Sequence, residues 1–126
     1  MPVPITCHIL DTTLGRPASD VLCEISLNES EKPFAKAYTN SDGRVTSWSP
    51  LEGKGPAFTN GQWEEKDLVG GIYKIRFYTS EYFASASRST FFPFVDIIFQ
   101  VPDVPEKHYH VPLLLSNYGY STYRGS

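Results

Sequence analysis

The chain has 126 residues, of which 40% are hydrophobic and 14% aromatic, so it has material for one compact core and is too short for a two-domain enzyme. A formal net charge of −3 supplies no basic field, which argues against nucleic acid as a partner. Only 3 histidines occur, His8, His108 and His110, and they set the short list for acid/base chemistry near neutral pH.

The opening run Met1-Pro-Val-Pro-Ile-Thr-Cys-His has no basic segment followed by an apolar one, so no secretory signal is read and an intracellular chain is expected. Ile5, Cys7 and Ile9 alternate with polar neighbours and predict a first strand, closed by the turn Leu14-Gly-Arg-Pro. Val21, Cys23, Ile25 and Leu27 predict a second, with Glu24 and Ser26 on its other face. A weaker strand follows at residues 34–39, before the turn Asn40-Ser-Asp-Gly. Residues 47–66 hold Pro50, Gly53, Gly55, Pro56 and Gly61 without sustained alternation and read as a long surface loop. After Gly70-Gly, Tyr73, Ile75 and Phe77 point one way while Lys74 and Arg76 point the other. Ala84 and Ala86 favour one short helix over residues 80–88. Val95, Ile97, Phe99 and Val101, then Tyr109, Val111, Leu113 and Leu115, complete the apolar sets around the turn Val104-Pro. The spacing predicts a single all-β domain over residues 1–126, an antiparallel β-sandwich. No run of 18 apolar residues implies a membrane span. Cys7 and Cys23 are expected as reduced, buried thiols, and their spacing is not that of a metal knuckle.

A two-residue spacing puts His108 and His110 on one strand face with Pro112 and Leu114, opposite the apolar set. His8 and Leu10 likewise oppose Cys7 and Ile9. All three histidines therefore face away from the core, beside outward leucines that a soluble monomer seldom presents to water. A subunit interface with a polar site inside it accounts for both. His-x-His with a third histidine has the donors for Zn²⁺, but no carboxylate occupies a matching position, and the sequence alone does not put His8 beside the pair. No Gly-x-Ser-x-Gly elbow marks a nucleophilic serine.

Cys7-His-Ile-Leu-Asp-Thr-Thr-Leu-Gly-Arg-Pro-Ala18, Thr39-Asn-Ser-Asp-Gly-Arg44, His108-Tyr-His-Val-Pro-Leu-Leu-Leu-Ser116 and the ending Tyr120-Ser-Thr-Tyr-Arg-Gly-Ser126 resemble the 5-hydroxyisourate hydrolases of the transthyretin-like family. The likeness runs from Thr6 to the last residue, and it departs in the loop at residues 47–66 and at Asn117, where proline is expected. The resemblance implies a sandwich of two four-stranded antiparallel sheets with one short α-helix. It also implies a homotetramer, a dimer of dimers with the sites at the dimer–dimer interface. By position, it implies His8, Arg44 and His110 as catalytic residues, with His108, Tyr123 and Ser126 completing the pocket and Leu10, Pro112, Leu114 and Ser121 forming its walls. The expected reaction is hydrolysis of 5-hydroxyisourate in urate degradation, with no metal and no cofactor. The competing reading is a transthyretin-like carrier of thyroid hormone without catalysis, which calls for a less polar channel and a secreted chain. The expected location is cytoplasmic, with peroxisomal delivery left open because Arg124-Gly-Ser is not a Ser-Lys-Leu type signal.

Overall fold

The computed structural model describes residues 3–126, so the reading of Met1 and Pro2 lies outside the described residues. In chain order the strands are β1 (Ile5–Asp11), β2 (Arg16–Pro17), β3 (Leu22–Leu27), β4 (Ala35–Tyr38), β5 (Arg44–Val45), β6 (Ser49–Pro50), β7 (Gly71–Phe77), β8 (Val95–Val101), β9 (Tyr109–Leu115) and β10 (Tyr120–Thr122). Helix α1 (Thr79–Ser85) joins β7 to β8. One sheet has the order β10-β9-β1-β2 with β5 also on β1, and the other β6-β4-β3-β7-β8. The β-sandwich expected from alternation is the observed fold class.

Two details differ from expectation. β1 and β9 run parallel, with Ile5 opposite Tyr109 and Asp11 opposite Leu115, so the first sheet is mixed. Nearly the whole chain separates these strands, and no tight turn dictates their direction. The count also changes. β5 at the middle of β1 and β2 at its C-terminal end share one edge, which leaves the first sheet four strands wide, while β6 adds a fifth to the second.

Inward positions follow the alternation: Ile5, Cys7 and Ile9 of β1, Cys23 and Ile25 of β3, and Ile75 and Phe77 of β7 are all fully buried. Cys7 and Cys23 are buried free thiols, and the hydrogen bond and burial they share push the Cys23 thiol well above its ordinary range. The segment at residues 47–66 is less free than a surface loop. Its two tryptophans, Trp48 and Trp63, are buried; Trp48 Nε1 donates to the Ile5 carbonyl at 2.9 Å, and Trp63 meets Phe34 edge-on at 5.3 Å. Large aromatic area taken from water holds this segment down where alternation gives no sign of it. Among the described residues no helix is long and apolar enough to cross a membrane.

Helix α1 ends three residues before the expected Arg88. Ser87 takes a left-handed φ of 56°, its N–H donates to the Ala84 carbonyl at 3.0 Å, and the Arg88 N–H donates to that of Phe83 at 2.9 Å. This pattern is a Schellman stop. It swings Arg88 onto Asp11, which is fully buried at the end of β1. Arg88 Nη1 donates to Asp11 Oδ2 at 2.6 Å, the Tyr82 hydroxyl donates to the same oxygen at 2.6 Å, and the Thr13 and Leu14 N–H groups donate to Oδ1 at 3.1 Å. Asn117, which stands where the resemblance expects proline, accepts from Arg88 Nη2 at 2.9 Å and donates to the Ser89 carbonyl at 2.8 Å.

Burial pushes the Asp11 carboxyl up, but the hydrogen bonds from Arg88, Tyr82 and Leu14 outweigh it and hold the group below its ordinary 3.8. A depressed carboxylate contributes stability that is present above the unfolded value and is lost as pH falls through the folded one. Arg88→Met, which strands the buried carboxylate, is expected to cost about 3–5 kcal/mol in denaturant unfolding at pH 7. The gap from the parent should narrow as pH falls, beginning where the buried, unpaired Asp11 of the variant takes up a proton and closing furthest once pH passes below the depressed value of the parent. Equal stabilities at pH 7 would remove the ion pair from the account of the fold.

Candidate active site

The outer face of the first sheet collects the candidate residues through strand register. Parallel pairing sets His8 opposite Pro112, Thr6 opposite His110 and Leu10 opposite Leu114. On the other edge of β1, His8 lies opposite Arg44. The Asn40-Ser-Asp-Gly turn makes that placement. Asn40 Oδ1 accepts the N–H groups of Asp42 at 2.9 Å and Arg44 at 3.0 Å, and Gly43 has a left-handed φ of 72°. A Cβ at Gly43 would fall 2.5 Å from the Ile9 carbonyl oxygen, so only glycine lets the turn lie this close to β1. Val45 then turns into the core and Arg44 stands exposed on the outer face.

The imidazoles form a row. His8 and His110 have ring centroids 6.4 Å apart, and His110 and His108 6.5 Å apart, with all rings near parallel. His8 and His110 are half-buried and His108 is exposed. Burial lowers the pKa of His8, and the Arg44 charge lowers it further, against a smaller upward pull from the Asp42 carbonyl and carboxylate. Burial likewise lowers that of His110, followed by the charges of Arg44, His8 and His108. Both rings are therefore biased toward the neutral form, which can accept a proton. Among the described residues no three His, Cys, Asp or Glu side chains converge as a metal site would require.

The C-terminal tail closes one side. Register pairs Thr122 with Leu113 and Ser121 with Leu114, and three residues further on Gly125 bridges to His110, its N–H donating to the His110 carbonyl at 3.0 Å. A Cβ on Gly125 would lie 2.6 Å from His110 Cδ2, so the missing side chain is what makes room for the ring. Alternation along this segment puts Ser121, Tyr123 and Gly125 on the histidine face. Ser121, Tyr123 and Ser126 are exposed, and Leu10 and Leu114 half-buried. Pro112 departs from its expected exposure: at the middle of the face, between His8 and the tail, it is buried within the chain itself. A concavity of about 360 Å³ between β8, β9 and the tail includes His110 and Tyr123 but neither His8 nor Arg44. In the single chain the histidine face itself is an open patch.

One further residue of this face carries no signal in the sequence. Thr6 Oγ1 lies 2.8 Å from His110 Nδ1 and 3.0 Å from His108 Nε2, linking the two rings. Threonine in a strand is so ordinary that only its place in register, opposite His110, gives it away.

The HIUase/Transthyretin family profile matches residues 5–125. The "5-hydroxyisourate hydrolase 2" of Rhizobium meliloti is 41% identical, covering 97% of this chain and 95% of that protein. The "Probable 5-hydroxyisourate hydrolase" of Schizosaccharomyces pombe is 39% identical, covering 97% and 90% respectively. Among solved structures, Klebsiella pneumoniae 5-hydroxyisourate hydrolase matches with a TM-score of 0.77 at 30% identity, over 98% of this chain and 99% of that one. A structure of (S)-allantoin synthase matches with a TM-score of 0.76 at 33% identity over 99% of this chain but 44% of its own. With a profile match over residues 5–125 and relatives 39% and 41% identical over nearly their whole length, the chain belongs to the HIUase/Transthyretin family.

Proposed function

We propose that this chain hydrolyses 5-hydroxyisourate, opening the N1–C6 amide bond to give 2-oxo-4-hydroxy-4-carboxy-5-ureidoimidazoline. The observation that carries the reading is two imidazoles biased toward neutrality beside one guanidinium-bearing side chain, Arg44, all on one sheet face, in a chain whose relatives bear the name of that hydrolase. Water is a poor nucleophile until a base takes its proton as it attacks the carbonyl. His110, working with His8, is that base. The negative charge that develops on the carbonyl oxygen is met by the Arg44 guanidinium. His108, Tyr123 and Ser126 complete the pocket, and Leu10, Pro112, Leu114 and Ser121 wall it. The open, partly apolar face also supports the homotetramer, in which a second copy covers it.

Freshly generated 5-hydroxyisourate is expected to lose its ultraviolet absorbance on addition of the protein. Thyroxine binding without that loss would favour the carrier reading instead. His110→Ala should lose at least about 10²-fold in kcat/KM, the scale of a general base; a rate equal to the parent removes His110 from the chemistry.

The pH profile has a definite sign. Burial and the charges of Arg44, His8 and His108 hold His110 below 6.5, so the neutral base persists into mild acid and the rate falls only as pH drops below that value. Arg44→Met removes the largest facing charge, so its slower reaction should show the acid limb of kcat/KM moved to higher pH. An unmoved limb in Arg44→Met would separate the guanidinium from the base.

Gly125→Ala tests the tail. Its methyl falls on His110, so turnover should drop while unfolding free energy stays within about 1 kcal/mol of the parent. Full turnover in Gly125→Ala would show that the tail does not set the ring.

A further inference from the structure

We propose that Thr6 is a positioning residue that relays a proton between His110 and His108 during the hydrolysis. This rests on the functional reading above and adds to it a route for the proton that the base removes.

A threonine hydroxyl carries one proton and two lone pairs. Thr6 Oγ1 meets His110 Nδ1 at 2.8 Å and His108 Nε2 at 3.0 Å, within reach to accept from one ring while donating to the other. In the relay the hydroxyl couples the two tautomers. With His110 presenting a free Nε2 lone pair as base, its Nδ1–H donates to Oγ1, which leaves the hydroxyl proton to be donated to His108 Nε2.

The contrast between the two rings gives the relay its direction. His110 is half-buried with Arg44, His8 and His108 around it, whereas His108 is exposed. A proton left on His110 would put an imidazolium in the field of the guanidinium, where positive charge is disfavoured. On His108 the same charge meets water.

The steps balance. As the water oxygen bonds to the carbonyl carbon, the carbonyl π pair moves to oxygen and His110 Nε2 takes the water proton. His110 Nδ1 releases its proton to Oγ1, and Oγ1 releases its own to His108 Nε2. Thr6 is unchanged, His110 is neutral with its proton now on Nε2, and His108 carries the added proton. As the oxyanion pair re-forms the C=O bond, the C–N bond breaks and its pair goes to the leaving nitrogen, which takes the proton from His110 Nε2. The relay runs back from His108 through Oγ1 to His110 Nδ1, and every group is restored. One ring thus serves as base and then as acid without accumulating charge next to Arg44.

The test compares Thr6→Val, which keeps the β-branch and loses the hydroxyl, with Thr6→Ser, which keeps the hydroxyl. Thr6→Val is expected to lower kcat by about 10- to 100-fold with KM within about 3-fold, and Thr6→Ser to stay within about 3-fold of the parent in both. Side-chain ¹⁵N NMR without substrate should show one dominant His110 tautomer, protonated on Nδ1, in the parent and in Thr6→Ser, and a different distribution in Thr6→Val. In mixtures of H₂O and D₂O the parent should give a curved dependence of kcat on deuterium fraction, since more than one proton is in flight, and Thr6→Val a linear one. Parent kcat in Thr6→Val, or a reduced kcat with unaltered ¹⁵N shifts, overturns the relay. A linear dependence in the parent does so even if Thr6→Val does not fold. A parent protein that leaves 5-hydroxyisourate untouched overturns the functional reading itself, and so is distinguished from failure of the relay alone.

Discussion

Parallel pairing of β1 with β9 joins the start of the chain to a strand about a hundred residues later, and the candidate site exists because of its register. Thr6 opposite His110, His8 opposite Pro112 and Leu10 opposite Leu114 bring two separate stretches of sequence into one patch. A shift of one residue in a strand sends every side chain to the other face. In this sheet such a slip would put Ile5, Cys7 and Ile9 into water and the imidazole of His8 into the core. Burial of the inward set therefore guards the register, and with it the spacing of the imidazole row.

β1 is held at both ends as well as along its length. At its start the Ile5 carbonyl accepts from Trp48, a residue of the long segment between β5 and β7. At its end Asp11 gathers donors from Arg88, Tyr82 and the following turn. His8 lies between these anchors, on a strand that has little freedom to slide or tilt. The Schellman stop of α1 belongs to the same arrangement, because a helix continued through Arg88 would carry the guanidinium away from Asp11.

Alternation made the direction of each strand residue legible: Ile5, Cys7 and Ile9 inward, His8 and Leu10 outward. The turn chemistry of Asn40-Ser-Asp-Gly marked the entry to β5, although its close approach to Ile9 depends on contacts across the fold. Strand partners were not legible, since alternation is blind to whether a neighbour runs parallel or antiparallel, and β1 with β9 is the case in point. Trp48 and Trp63 sit among prolines and glycines, so no period announces that they are buried. Arg88 ended a helical pattern whose stop depends on Ser87 adopting a left-handed φ, a conformation that serine composition does not signal. Thr6 carries no motif of its own. Its hydroxyl matters only because two rings from another strand arrive on either side of it.

The division of β1 into inward and outward sets lets stability and chemistry be carried by different residues of one strand. Ile5, Cys7, Ile9 and Asp11 are buried, while Thr6, His8 and Leu10 are only half-buried. That separation has an electrostatic consequence. An exposed Arg44 acts through water, where a unit charge at 4 Å contributes about 1 kcal/mol; at the effective dielectric constant of a partly covered protein site the figure is about 4 kcal/mol. The half of the fold that builds the core cannot supply that cover, because its side chains point the other way. Cover must come from the tail beside His110 and, in the proposed assembly, from a second copy laid over the face. The proposed assembly would then do more than enclose the substrate: by excluding water it would raise the hold of the guanidinium on the proposed oxyanion.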